Sequence, residues 1–230
     1  LYGAQGPDLF YYFAVKSPLS GYREVAERIH ELNPSSPLEA LHDLSERDRE
    51  RSMLCAFLCG CSTHLALDAA IHPYINARSK EIAKEGRISE ECAHVMLEAG
   101  YEARDFQRQT DKLPASYKAL GDLPHCAAER EAAARGLAML ARLASVDLDE
   151  NRLCTEQKKL PATLKLLFNE NCAVCRFLDA ASGLLKKEFP ARWHFRRSRP
   201  LEKTVMTEAD AAELDRLCAE AMSDFLRLIS

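Results

Sequence analysis

Glycine is scarce in this sequence, at nine of 230 residues, and tryptophan occurs once, at Trp193. No glycine-rich loop is present to cradle a phosphate, which argues against the nucleotide-binding α/β folds. No convincing run alternates apolar and polar residues as strands do, and no internal repeat is visible. A basic excess is also missing: 31 Lys and Arg stand against 35 Asp and Glu, a formal net charge of −4. Wholesale electrostatic capture of nucleic acid is therefore not expected, and no specific nucleic-acid binding is read. No charged-then-apolar leader with a small-residue cleavage site is seen. The chain starts at Leu1 rather than Met, which leaves room for residues upstream. The apolar run Met53–Thr63 is too short to span a bilayer. Cysteine is plentiful but odd in number, at nine, and lies largely in apolar, helix-like runs. A secreted disulfide framework would show an even set in a short chain, so these read as reduced thiols of a cytoplasmic protein.

What is there favours helices. Apolar residues make up 47% and charged residues 29%, a globular balance, with abundant Ala, Leu, Glu, Arg and Lys. The expectation is a single all-α domain over residues 1–230. The first twenty residues, with four glycine or proline breakers, read as a loop. Gly21–Leu32 reads as a short helix ended by "NPSSP". Pro37 to about Asn76 reads as helical with one break, its second half apolar nearly all round and so buried on every side. Ser89 caps a helix to about Gln109, and Ala127–Val146 and Pro161–Phe189 are further amphipathic helices. Residues 191–203, "ARWHFRRSRPLEK", form a basic linker before a terminal helix with Thr207 as N-cap and Asp210 at N3.

Charge is nearly absent where it matters most. Between Ser52 and Ala77 the one Asp, Glu, Lys or Arg is Asp68, with His64 four residues before it and His72 four residues after. Four residues of α-helix advance about 40° in rotation and about 6 Å in height, so the three side chains form one stripe roughly 12 Å long. An ionised carboxylate in an apolar helix needs a partner, and no cation lies near in sequence. A divalent metal would serve, since His nitrogen and Asp oxygen are both zinc ligands; a buried His–Asp pair, or an Arg from another helix, would serve too. Pro73 lacks an N–H and is expected to bend the helix after His72. His94 and Glu98 repeat the four-residue spacing on the Ser89 helix. Asp8 sits in the tight "GAQGPD" turn, where a capping role is the ordinary alternative, and His30 closes the first short helix, where the helix dipole alone would favour it.

"GAQGPDLFYY", a helix ending in His30, "FLCGCSTHLALDAAIHPYIN" and "HVMLE" together resemble the bacterial zinc-dependent phospholipase C family, which shares its all-α fold with the fungal single-strand-specific nucleases. The resemblance covers about residues 1–110; the half from 111 to 230 matches nothing by motif. It implies one Zn2+ held by Asp8, His30, His64 and Asp68, and a second held by His72, His94 and Glu98 with positions open for water or substrate. It also implies a third, bridged through Asp68, whose other ligands lie upstream of Leu1 and which is incomplete in this chain. The activity implied is zinc-dependent hydrolysis of a phosphodiester, a phospholipid or related compound, by zinc-activated water that Asp8 or Glu98 orients.

Two other readings stand beside it. "LHDL" places His42 beside Asp43, the dipeptide of the His-Asp metal phosphohydrolases, although "LHDLSERDRERS" has the look of a solvated helix. A non-catalytic helical binding protein would keep metal for structure in a closed four-ligand shell. Cys172 and Cys175 share a helix face, and Cys55, Cys59 and Cys61 lie near the metal helix, so a four-cysteine zinc is weighed against simple burial. The "RWHFRRSR" stretch is a solvated linker or a peripheral contact for anionic lipid.

Overall fold

The computed structural model describes residues 2–17, 20–41, 48–86, 88–111, 123–167 and 205–229, and the single positions 177, 180, 181 and 184. The fold is all-α. A 3-10 turn, Tyr2–Gln5, precedes α1 (Leu9–Lys16), α2 (Tyr22–His30), α3 (Ser36–Glu39), α4 (Asp48–Lys84), α5 (Glu90–Thr110), α6 (Ala127–Leu143), α7 (Glu150–Leu167) and α8 (Glu208–Ile229). Among the described residues there is no strand. The chain forms two compact units, each drawn from separated segments: Leu1–Asp68, Leu120–Leu164 and Ala221–Ser230 in the first, Ala69–Ala119 and Lys165–Glu220 in the second. The units therefore interleave in sequence.

In the first unit, the breakers of the opening segment flank a helix rather than fill a loop. Gly3, Gly6 and Pro7 precede α1, whose Leu9, Phe10 and Phe13 are buried. Phe10 and Phe13 meet edge to face, with centroids 5.9 Å apart, and both rings contact Tyr22 of α2. Gly21 stands just outside α2 at φ 76°, a left-handed conformation that explains why the helix starts at Tyr22. On α4, Leu54, Phe57, Leu58, Cys61 and Leu65 are buried, the spacing of one helix face. Phe57 lies against Gly136 of α6, where a Cβ would come within 2.8 Å of its ring.

The α4 helix departs from expectation in two ways. It runs on through Pro73 to Lys84 instead of ending near Asn76. Nor is it buried on every side: Ala56, Ala69, Pro73 and Asn76 are exposed. Its small residues (Ala, Gly, Ser, Thr, Cys) hide little apolar area, so the helix is two-faced by size rather than by polarity. Exposure at Ala69 and Pro73 also lets the Ala69 carbonyl, deprived of its usual Pro73 donor, face water. The stretch Ser52–Lys84 is long and apolar enough to cross a membrane by length and composition, which Met53–Thr63 alone is not. A core helix of a soluble protein passes the same two criteria, and 33% of the most apolar window of this one is buried.

In the second unit, Ile75, Ile82, Ala93, Leu97 and Leu214 form the core. Ser89 caps α5 as read, accepting from the Cys92 N–H at 3.2 Å. Thr207 and Asp210 cap α8 reciprocally: the Thr207 N–H donates to Asp210 at 2.7 Å, and the Asp210 N–H to the Thr207 hydroxyl at 3.1 Å.

Farther along, α7 starts at Glu150 rather than at Pro161, which lies inside the helix. Asp149 supplies the start, accepting from the Arg152 N–H at 2.8 Å. His42, Asp43, Cys172, Cys175, Trp193, His194 and the 191–203 linker lie outside the described residues, as does most of the stretch expected as helix beyond Leu167.

Candidate metal sites

Two groups of metal-ligand type assemble, one within each unit. In the first unit, Asp8, His30 and His64 bring one ligand atom apiece to within 4.8 Å of one another. Asp8 occupies the N-cap position of α1 yet makes no side-chain capping bond, so the helix does not use up its carboxylate in that way. Its Oδ1 lies 3.3 Å from His30 Nε2. His30, at the end of α2, has Nδ1 2.7 Å from the Ala26 carbonyl oxygen. His64 on α4 has Nδ1 2.9 Å from the Ala4 carbonyl oxygen. A carbonyl only accepts, so both Nδ1 atoms carry hydrogen and donate; in the neutral rings both Nε2 atoms then present lone pairs.

Those two Nε2 atoms are 3.2 Å apart. Lone pairs that face each other repel, and the contact becomes favourable only with a cation or a proton between them. Ligands about 2.0–2.1 Å from a tetrahedral zinc stand about 3.3–3.4 Å from one another, which is close to both edges observed here. Metal-binding histidines ordinarily donate their other ring N–H to a carbonyl or carboxylate, which fixes the tautomer, as the Ala26 and Ala4 carbonyls do here. The proton alternative is visible as well. Burial works against a charge on His30, but the Asp8 and Ala26 bonds, with the charges of Asp8 and Asp68, outweigh it and raise its pKa.

Asp68, one turn beyond His64, is not one of the three atoms within 4.8 Å, although its charge reaches His30 and Tyr11. Tyr11 was not singled out from sequence. Its ring stands 5.8 Å from that of His30, and burial together with Asp8, Glu27 and Asp68 pushes its hydroxyl up to about 12 against the opposing effect of Arg23. It therefore stays protonated at neutral pH as a donor beside the group.

In the second unit, His72, His94 and Glu98 converge. Glu98 Oε1 lies 3.1 Å from His72 Nε2 and 3.0 Å from His94 Nε2, and the two rings are 5.2 Å apart at 32°. The α5 spacing brings His94 and Glu98 together, and all three side chains are only partly exposed. Among the described residues three ligand atoms converge here, and a tetrahedral metal held by these three alone would keep one vertex open.

The chain matches no family model, no curated protein and no solved structure.

The seven residues singled out from sequence thus fall into two triads, with Asp68 beside the first. Cysteine joins neither. Burial pushes the Cys61 and Cys59 thiols up, away from the thiolate form that metals take. The carbonyls of Ala4 and Ala26 were illegible because any residue supplies one. Gly60 had a faint signal, four residues before His64: a Cβ there would come within 2.6 Å of the Ala4 nitrogen.

Proposed function

We propose that this chain is a zinc-dependent phosphodiester hydrolase of the phospholipase C type, acting on a phospholipid or related diester. The observation that carries the reading is the pair of imidazole Nε2 atoms at 3.2 Å, each ring fixed by a carbonyl behind it, with a carboxylate alongside. The His72–His94–Glu98 triad supports the catalytic half of the proposal because it leaves a vertex open. Bound there, zinc would supply a Lewis acid and bring the pKa of a coordinated water towards neutrality. His72, His94 and Glu98 would hold that metal, and the free carboxylate oxygen of Glu98 would orient the water and take its proton; at the first group Asp8 would serve in the same way. Tyr11, protonated at neutral pH, is a donor for a phosphoryl oxygen near the first group. Seven cysteines held as thiols among the described residues fit a reducing, cytoplasmic setting.

A second reading is a non-catalytic helical protein with structural metal. Its support is the charge of Asp68, which reaches His30; Asp68 lies outside the three-atom group and would have to move in to close a four-ligand shell with Asp8, His30 and His64.

Elemental analysis and turnover of a chromogenic bis-aryl phosphodiester decide between them. The expected result is about two zinc ions per chain and chelator-sensitive hydrolysis. His72→Ala should abolish turnover and lose one metal, Asp68→Asn should weaken the other, and His42→Ala should change neither. Metal without turnover on lipid, nucleotide or generic diesters selects the structural reading. Loss of metal in His42→Ala and not in Asp68→Asn selects the His-Asp phosphohydrolase.

A further inference from the structure

The Tyr2–Gln5 turn is held onto α4 by four successive contacts. The Tyr2 ring lies 5.9 Å from that of Phe57, and its hydroxyl donates to Gln157 Oε1 at 3.4 Å. Gln157, buried on α7, in turn donates to the Arg130 carbonyl at 3.0 Å. Gly3 is buried with its Cα against the Phe57 backbone, so closely that a side chain there would overlap the Phe57 carbonyl. Gly60 receives the turn on the helix side: a Cβ would come within 2.6 Å of both the Ala4 nitrogen and the Gly3 carbonyl carbon. The last contact is the Ala4 carbonyl, which accepts from His64 Nδ1 at 2.9 Å.

We infer that this turn is a positioning strap for the first metal group, and that Gly60 is its seat. Glycine at positions 3 and 60 allows two backbones to touch. That contact holds the Ala4 carbonyl over the His64 ring. The carbonyl fixes the hydrogen on Nδ1, and the Nε2 lone pair is thereby turned towards His30 and Asp8. Lifting the strap frees the ring to rotate and to place its hydrogen on either nitrogen, and the triad loses its preset shape. None of the strap contacts reaches His72, His94 or Glu98, so the second group is the internal control. The inference rests on metal binding at Asp8, His30 and His64, and says which part of the chain governs it.

The test uses the full 230-residue chain in two states. In the metal-free protein, long-range ¹H–¹⁵N correlation should show His64 as the Nδ1–H tautomer; an Nε2–H tautomer overturns the inference whether or not any variant folds. Zinc affinity by chelator competition should then fall about 10- to 100-fold at the first group in Gly60→Ala, with the second group unchanged. In the same variant the His64 ring should become a mixture of tautomers. Normal affinity and a retained Nδ1–H form in a folded Gly60→Ala refute the strap while leaving the hydrolase reading intact. Wild-type protein that takes up no metal at the first group defeats that reading instead, and with it the strap. Should Gly60→Ala fail to fold, Tyr2→Phe, which removes only the hydroxyl tie to Gln157, takes its place with the same two readouts and the same direction.

Discussion

Asp210 is a buried carboxylate that accepts four hydrogen bonds. Only 3% of its side chain is exposed, yet it accepts from Tyr74, Arg78 and both donors of Thr207. Burial alone would raise its pKa; the Thr207 bonds, the Tyr74 bond and the Arg78 charge more than offset that and hold it below the ordinary 3.8. The sign follows. A folded value below the unfolded one means that the unfolded chain binds more protons between the two. Asp210 therefore contributes its full stability above about pH 4, and loses it as pH falls through the lower, folded value. Asp210→Ala should cost about 2–3 kcal/mol in urea unfolding at pH 7, and Asp210→Asn should flatten the acid limb of the stability profile. The capping half of this cluster was legible, because Thr207 and Asp210 stand three apart before an apolar run. The Tyr74 and Arg78 half was not, since those bonds join positions more than 130 apart in sequence. The same division holds at the metal groups: i, i+4 pairs could be read, carbonyl partners could not.

At the scale of elements, the Ser89 and Thr207 caps were readable and the proline signals were less so. Ser89 begins α5 as expected, because a side chain three residues from its N–H partner announces itself locally. Pro161, expected to open a helix, lies inside one that begins at Glu150, and the helix through Pro73 runs on to Lys84 instead of ending at about Asn76. A proline removes one hydrogen bond, and the packing of a long helix against its neighbours can outweigh that loss. The opening segment misled in the other direction, since breakers confined to its ends left Leu9–Lys16 free to wind. Ser89→Ala should cost about 1 kcal/mol in thermal or urea unfolding. Hydrogen exchange should rise first at Cys92 and Ala93, in the turn that leads to His94.

For the whole molecule, each unit carries one triad, so metal should stabilise both. Zinc bound by the native state alone at 100 times its dissociation constant adds about 2.7 kcal/mol per site. Chelation should therefore lower the melting temperature in the wild type. Asp8→Asn and His94→Ala should each remove part of that response, and together all of it. A chelator without effect on the melting curve would argue against tight sites in either unit. The interleaving of the units was beyond the sequence, because the contacts that define them join segments with no shared pattern.

Cys61 and Cys92 are wholly buried as thiols, one in each unit, three and two residues ahead of His64 and His94. Alkylating reagents cannot reach either sulfur until its surroundings open, whereas exposed Cys126 should react at once. The protein thus carries two chemical clocks of its own. Timed labelling followed by mass spectrometry should report how often each unit breathes, and zinc should slow the Cys61 and Cys92 clocks while leaving Cys126 untouched.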